Sequence, residues 1–149
     1  MRAAIDTNVI IYAEIEPDSD KGRVARQLIN ACIRHDGVIA AQVLGELLAV
    51  VRRKRPELMP HARGVVDDLA EALKISPTTG DVMCAAAALS TDHGLRIWDA
   101  VICIASAEAG GSHLLSEDMH DGFEIAGLKI INPFDPRNRA EISRLLPSF

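Results

Sequence analysis

Four acidic residues, Asp6, Glu46, Asp99 and Asp118, stand where carboxylates could act together. Asp6 follows the short apolar run Ala3–Ile5. Glu46 lies early in "VLGELLAVVRRKRP", which follows the apolar run "VIAAQ". Asp99 opens the apolar stretch "WDAVICIASAEAGG", and Asp118 ends "HLLSED". If the short runs are strands and the longer stretches helices, all four acids fall at element ends that can share one edge of a sheet. Carboxylates gathered there would repel one another and raise each other's pKa unless a cation neutralised them. Oxygen donors of this kind select a hard divalent ion, Mg²⁺ or Mn²⁺, over a soft metal.

Taken singly, each acid has a simpler explanation. Asp6 in "DTN" is good capping and turn chemistry, and Asp99 is well placed as a helix N-cap. Glu46 borders the apolar arc Val43, Leu47, Val50 and Val51, where a glutamate usually reaches for solvent. Asp118 sits in the polar stretch "SEDMHDG". Only the joint pattern is hard to dismiss, because caps have no reason to fall at four element ends on one side of a sheet.

The elements that must position these residues can be read from periodicity. A strand at Ala3–Ile5 leads into a polar turn at Asp6-Thr7-Asn8. The apolar spacing of Val24, Leu28, Ile29, Ala31 and Cys32 predicts a helix that stops at Gly37. "VIAAQ" is a second strand, followed by a helix that gains positive charge before Pro56, the favourable end for it. A further helix spans Pro60–Leu73, and "LKISPTT" gives a strand and a turn. An Ala-rich helix ends near Gly94, and a helix apolar nearly all round ends at Gly110-Gly111. "SHLLSED" and "LKIINPFDP" supply the last strands. Strands alternating with helices predict one α/β domain over residues 1–149 with a mostly parallel sheet, whose ligands bind beyond the strand carboxyl ends.

Composition narrows the function. With 48 % hydrophobic and 25 % charged residues the chain is of ordinary globular make-up. Aromatics are only 3 %, so Ala, Val, Ile and Leu must build the core and base stacking has few candidates. A net charge of −5 argues against a protein that coats duplex phosphates. The three cysteines, Cys32, Cys84 and Cys103, read as reduced core residues, and no Cys/His spacing suggests zinc. With neither a cleavable leader nor a membrane-length apolar run, a cytoplasmic location without membrane contact is expected.

The segments "IDTNVIIY", "QVLGELLAV", "LRIWDAVICIASAEAGGSHLLSEDM" and "LKIINPF" resemble, in order and spacing, the signature segments of PIN domains. The block "DAVICIASAEAGGSHLLSED" is most similar to VapC-type toxins of toxin–antitoxin pairs. The resemblance implies a Rossmann-like α/β/α sandwich and a ribonuclease that hydrolyses RNA phosphodiester bonds with Mg²⁺, or with Mn²⁺. It implies a homodimer neutralised by a cognate antitoxin that contacts a helical hairpin between Lys21 and Pro60. Carried over by position, the acidic site falls on Asp6, Glu46, Asp99 and Asp118. Thr7, Asn8 and Ser116 match small polar residues that orient the carboxylates. Asp118 fits the last acidic position best, with Glu117 and Asp121 near enough to substitute or assist. A bound cation would acidify a water and stabilise charge at the phosphorus.

Weaker features surround this pattern. Arg52, Arg53 and Arg96 are candidates for RNA phosphate contact, although the cluster Arg52–Arg55 is also what a helix C-terminus favours. Trp98 reads as core packing before base stacking, and His120 as a loop residue. An Asp after the first strand also marks haloacid-dehalogenase-like phosphatases. Those carry a second acid two positions on, where this chain has Asn8. Two other readings keep the same fold: an RNA-processing nuclease outside any toxin system, and a non-catalytic module that holds RNA or protein.

Overall fold

In the computed structural model, which describes residues 1–149, Ala3–Ile5 forms strand β1 and is buried at every residue. Burial without alternation means that both faces of the strand are covered. The neighbouring β2 (Val38–Ala40) is buried in the same way. With β3 (Lys74–Ser76), β4 (His113–Leu115), β5 (Glu124–Ile125) and β6 (Leu128–Ile131) they form one sheet in the order β3-β2-β1-β4-β6-β5. All pairings are parallel except β5 on β6. Helices α1 (Thr7–Ile15) and α2 (Asp20–Arg34) connect β1 to β2, and α3 (Ala41–Lys54) and α4 (Met59–Ala72) connect β2 to β3. Helices α5 (Gly80–His93) and α6 (Ile97–Glu108) connect β3 to β4, and α7 (Arg139–Leu145) follows the sheet. This is the α/β/α sandwich with a central, mostly parallel sheet that the sequence predicts. No helix is long and apolar enough to cross a membrane.

The strand order places the site. From β1 the chain winds outward through β2 to β3, then returns to the other side of β1 to add β4 and β6. The direction of winding therefore reverses between β1 and β4. Open α/β sheets bind ligands in the crevice beyond the strand carboxyl ends at such a reversal. Asp6 follows β1 directly, and Ser116 follows β4 directly.

The buried hydrophobic core contains no aromatic side chain; it is Ala, Val, Ile and Leu, with Cys32, Cys103 and Met119. Small side chains let the helices approach closely. At Gly22, near the start of α2, an added Cβ would lie 2.0 Å from the Glu16 carbonyl oxygen and 2.8 Å from that of Tyr12. Hydrogen there is what allows α2 to fold back against the end of α1. Helix α5 stops at Gly94, whose φ of 68° is the left-handed conformation that favours glycine.

Several details differ from the sequence expectation. No turn separates β1 from α1: the helix starts at Thr7 with Asp6 as its N-cap. Asp99 is not an N-cap, because α6 begins two residues earlier and Arg96 takes that position without a side-chain cap bond. Strand β4 ends at Leu115, so Asp118 lies three residues past it, in a loop. Residues Lys21–Pro60 are no helical hairpin, since β2 separates α2 from α3. Cys84 is exposed, whereas Cys32 and Cys103 are buried. Trp98 is 48 % exposed and is not part of the core.

Candidate active site

Asp6 is the buried centre of the site, with 5 % of its surface exposed. Its Oδ1 accepts a hydrogen bond from the Thr7 amide at 2.7 Å. Its Oδ2 accepts from the Ser116 hydroxyl at 2.7 Å and from Asn8 Nδ2 at 2.9 Å. These donors come from α1 and from the end of β4, so the carboxylate ties together the two strands at the reversal. Asn8 strengthens the tie, because its Oδ1 accepts from the Glu117 amide at 3.2 Å. Ser116 Oγ in turn accepts from the Met119 amide at 3.2 Å, which fixes the loop that carries Asp118.

Burial raises the Asp6 pKa from 3.8 to about 6, against the hydrogen bonds from Ser116 and Thr7 that lower it. The nearby charges of Glu46 and Asp99 raise it further. Glu46 stands in the second turn of α3 and is held from two sides. Its Oε2 accepts from Thr7 Oγ1 at 2.9 Å and its Oε1 from Gln42 Nε2 at 3.1 Å. Thr7 thus links the buried acid to the half-buried one. Asp99 accepts two bonds from the Arg96 guanidinium, at 2.9 and 3.3 Å. Asp99 chiefly, and then Asp118 and Glu46, raise the Arg96 pKa, so this guanidinium lies in the field of three acids.

Beside Thr7 and Asn8, the residues that follow Asp6, opens a cleft of about 500 Å³. Glu46, Asp99 and Asp118 line it, as do Arg53, Arg96 and Trp98. A second cleft of about 460 Å³ shares Arg96, Asp99 and Asp118 and continues toward His120 and Phe123. Three of the four acids singled out in the sequence share this lining; Asp6 is not in it, but adjoins the lining residues Thr7 and Asn8 and lies in the field of Glu46 and Asp99. Arg53 and Arg96 reach the cleft; Arg52 does not line it. Glu117 and Asp121 turn elsewhere. Glu117 pairs with Lys21, and Asp121 Oδ1 accepts from the Asn132 amide at 2.7 Å and from Asn138 Nδ2 at 2.9 Å.

Tyr12 and Gln42 are site residues that the sequence pattern does not single out, whereas Lys54 belongs to the basic cluster Arg52–Arg55 that it does. Tyr12 and Gln42 lie one helical turn from Asn8 and Glu46, on the same helix faces, which is the signal that could have found them.

As the side chains stand, no three His, Cys, Asp or Glu residues form a group that could hold a metal ion. Three of the four carboxylates are engaged by donors of the chain: Asp6 by Ser116 and Asn8, Glu46 by Thr7 and Gln42, Asp99 by Arg96. The donor chemistry nevertheless suits a hard divalent cation, since the acids supply only oxygen and the Arg96 guanidinium already brings positive charge among them. A small cation would compete with Arg96 for Asp99.

Fold and family agree. The PIN domain model matches residues 3–124, and the chain belongs to that family. Among solved structures, it is similar to VapC20 of Mycobacterium tuberculosis, a sarcin-ricin loop cleaving toxin. That match has a TM-score of 0.65 and 16 % identity over 78 % of this chain and 91 % of the other. VapBC2 of Rickettsia felis, bound to a DNA fragment from its promoter, matches with a TM-score of 0.64. Identity is 17 % over 87 % of this chain and 97 % of that one. A toxin–antitoxin complex from Klebsiella pneumoniae gives 0.62 and 19 %, over 89 % and 98 %. At these identities the likeness is one of fold. No curated protein matches the chain in sequence.

Proposed function

We propose that the protein is a divalent-metal-dependent ribonuclease that acts as the toxin of a toxin–antitoxin pair. One observation carries this reading: where the winding of the sheet reverses, Glu46, Asp99 and Asp118 line one cleft and the buried Asp6 lies in the field of Glu46 and Asp99. A stability role alone gives no reason to bury a carboxylate among others at a cost to its ionised form. Membership of the PIN family and the toxins among its structural relatives support the same reading.

Asp6, Glu46, Asp99 and Asp118 would hold Mg²⁺ or Mn²⁺. When bound, the metal supplies an acidified water and neutralises charge at the phosphate. The chain does the positioning. Ser116, Asn8 and the Thr7 amide fix the Asp6 carboxylate, and Thr7 Oγ1 with Gln42 fixes Glu46. Arg53 and Lys54 line the cleft at the end of α3, where they can meet RNA phosphates without contacting the acids. Arg96 pairs with Asp99 and, were a cation to occupy Asp99, would be free to meet phosphate at the cleft it lines. The reading also expects a cognate antitoxin and a homodimer.

The test is cleavage of a mixed RNA pool with and without Mn²⁺, alongside Asp99→Asn and Asp118→Asn. Cleavage that needs the metal and falls at least about 100-fold in both variants supports the reading. Variants that cut as well as wild type, or a wild type inactive with every divalent metal, overturn it. Induced expression separates the toxin from a nuclease of RNA processing: growth arrest by wild type and none by Asp99→Asn is expected.

A further inference from the structure

Three of the four acids are held by donors of the chain, but Asp118 is exposed and accepts no hydrogen bond from it. Only the loop that follows β4 can place this carboxylate. The backbone of that loop is pinned to Asn8 and to Ser116. A further anchor is the side chain of Glu117, which is not part of the cleft lining and pairs with Lys21 of α2.

This pair is built unlike a loose surface contact. Lys21 Nζ lies 5.0 Å from the Tyr12 ring centroid and 5.6 Å from that of Phe134, and the two rings meet edge-on at 5.2 Å. The ammonium also donates to Tyr12 Oη at 3.5 Å. One ring from α1 and one from the segment after β6 therefore confine it. At the other end of the pair, Glu117 Oε2 is buried and has no hydrogen-bond partner. The carboxylate depends on Lys21 to offset the cost of that burial. Without the ammonium, an unpaired buried charge is driven toward water, and the neighbouring Asp118 moves with it.

We infer that Lys21 is a positioning residue for the metal site: through Glu117 it holds the loop that presents Asp118, from a helix that contributes nothing to the cleft lining. The inference rests on the metal-dependent reading above and adds to it a residue outside the cleft. The sign of the effect separates this role from a field effect. By charge alone, removing a cation near a cation site strengthens metal binding. Loss of positioning weakens it.

The probe is Mn²⁺ alone, titrated calorimetrically into the full chain. Lys21→Met keeps the apolar stem and removes the charge, and Mn²⁺ affinity is expected to fall about 10-fold. The melting temperature in chelator moves by no more than about 4 °C, because a partly exposed ion pair adds little stability. Lys21→Arg keeps most of the affinity. Lys21→Met combined with Glu117→Gln recovers most of it, since the amide carries no charge to expel. In an Asp118→Asn background, Lys21→Met has no further effect. Hydrogen exchange reads the loop without metal: the Glu117 and Met119 amides, bonded to Asn8 and Ser116, exchange faster in Lys21→Met than in wild type.

Mn²⁺ affinity that is unchanged or raised in Lys21→Met overturns the proposal and leaves the ribonuclease reading intact. So does a loss of affinity that persists in the Asp118→Asn background. A large drop in melting temperature that Glu117→Gln does not rescue also overturns it and assigns Lys21 to the stability of the fold. A wild type that binds Mn²⁺ but cuts no RNA removes the ribonuclease reading and leaves this one standing. A wild type that takes up no Mn²⁺ removes both.

Discussion

The buried Asp6 makes a quantitative prediction about stability and pH. In the unfolded chain its carboxyl titrates near 3.8, and in the folded protein near 6. As pH rises through this interval the unfolded chain gives up a proton that the folded protein keeps, so stability falls. The loss begins near pH 4 and is complete just above pH 6. The shift corresponds to about 3 kcal/mol. For a chain of this size that is roughly 6–12 °C in Tm. Asp6→Asn removes the titrating group and should remove this part of the pH profile. Calorimetric melts of both proteins from pH 4 to 7, in chelator, give the comparison. The difference between them should change by that amount, wild type losing ground as pH rises. Saturating Mn²⁺ should recover much of the loss, because a bound cation displaces the proton at lower pH. Parallel profiles for the two proteins would refute the reasoning, since an ordinary carboxyl at position 6 titrates alike in both states.

Other consequences can be checked alongside. Ser116→Ala removes the 2.7 Å bond to Asp6 that holds its pKa down, so the acid limb of the activity–pH profile should move to higher pH. Arg96→Ala frees Asp99 from an exposed partner, and Mn²⁺ affinity by calorimetric titration should rise up to about 5-fold. Gly22→Ala places a methyl group against the Glu16 carbonyl, and denaturant melts should show a loss of at least about 1–3 kcal/mol.

Much of the architecture is legible in the residues because the central strands β1 and β2 are short apolar runs with no polar interruption, bounded by turn or helix signals. Asp6 is legible for the same reason, since it directly ends the first of those runs. What escapes the sequence has physical causes. Strand β5 is two residues long and exists only by pairing with β6 across Ala126-Gly127, so no periodicity announces it. Helix α7 is seven residues long and follows a proline-rich stretch, too brief for a repeat to stand out. Asp99 is a strong capping residue, yet α6 starts at Ile97 because packing of its buried face outweighs the missing cap. That two-residue shift turns Trp98 outward. The exposure of Cys84 has a similar origin, since apolar neighbours in sequence do not say which face of an Ala-rich helix meets the core.

The reversal of winding between β1 and β4 also governs when the site comes into being during synthesis. Asp6 leaves the ribosome well ahead of its partner Ser116, which lies 110 residues later. The strand that must lie beside β1 is translated only after β2 and β3 have filled the opposite side. A nascent chain shorter than this carries Asp6 as an ordinary solvated carboxyl with no loop to hold Asp118. Whatever chemistry the assembled acids perform is withheld from the ribosome and message producing them until β4 and the loop after it have been made.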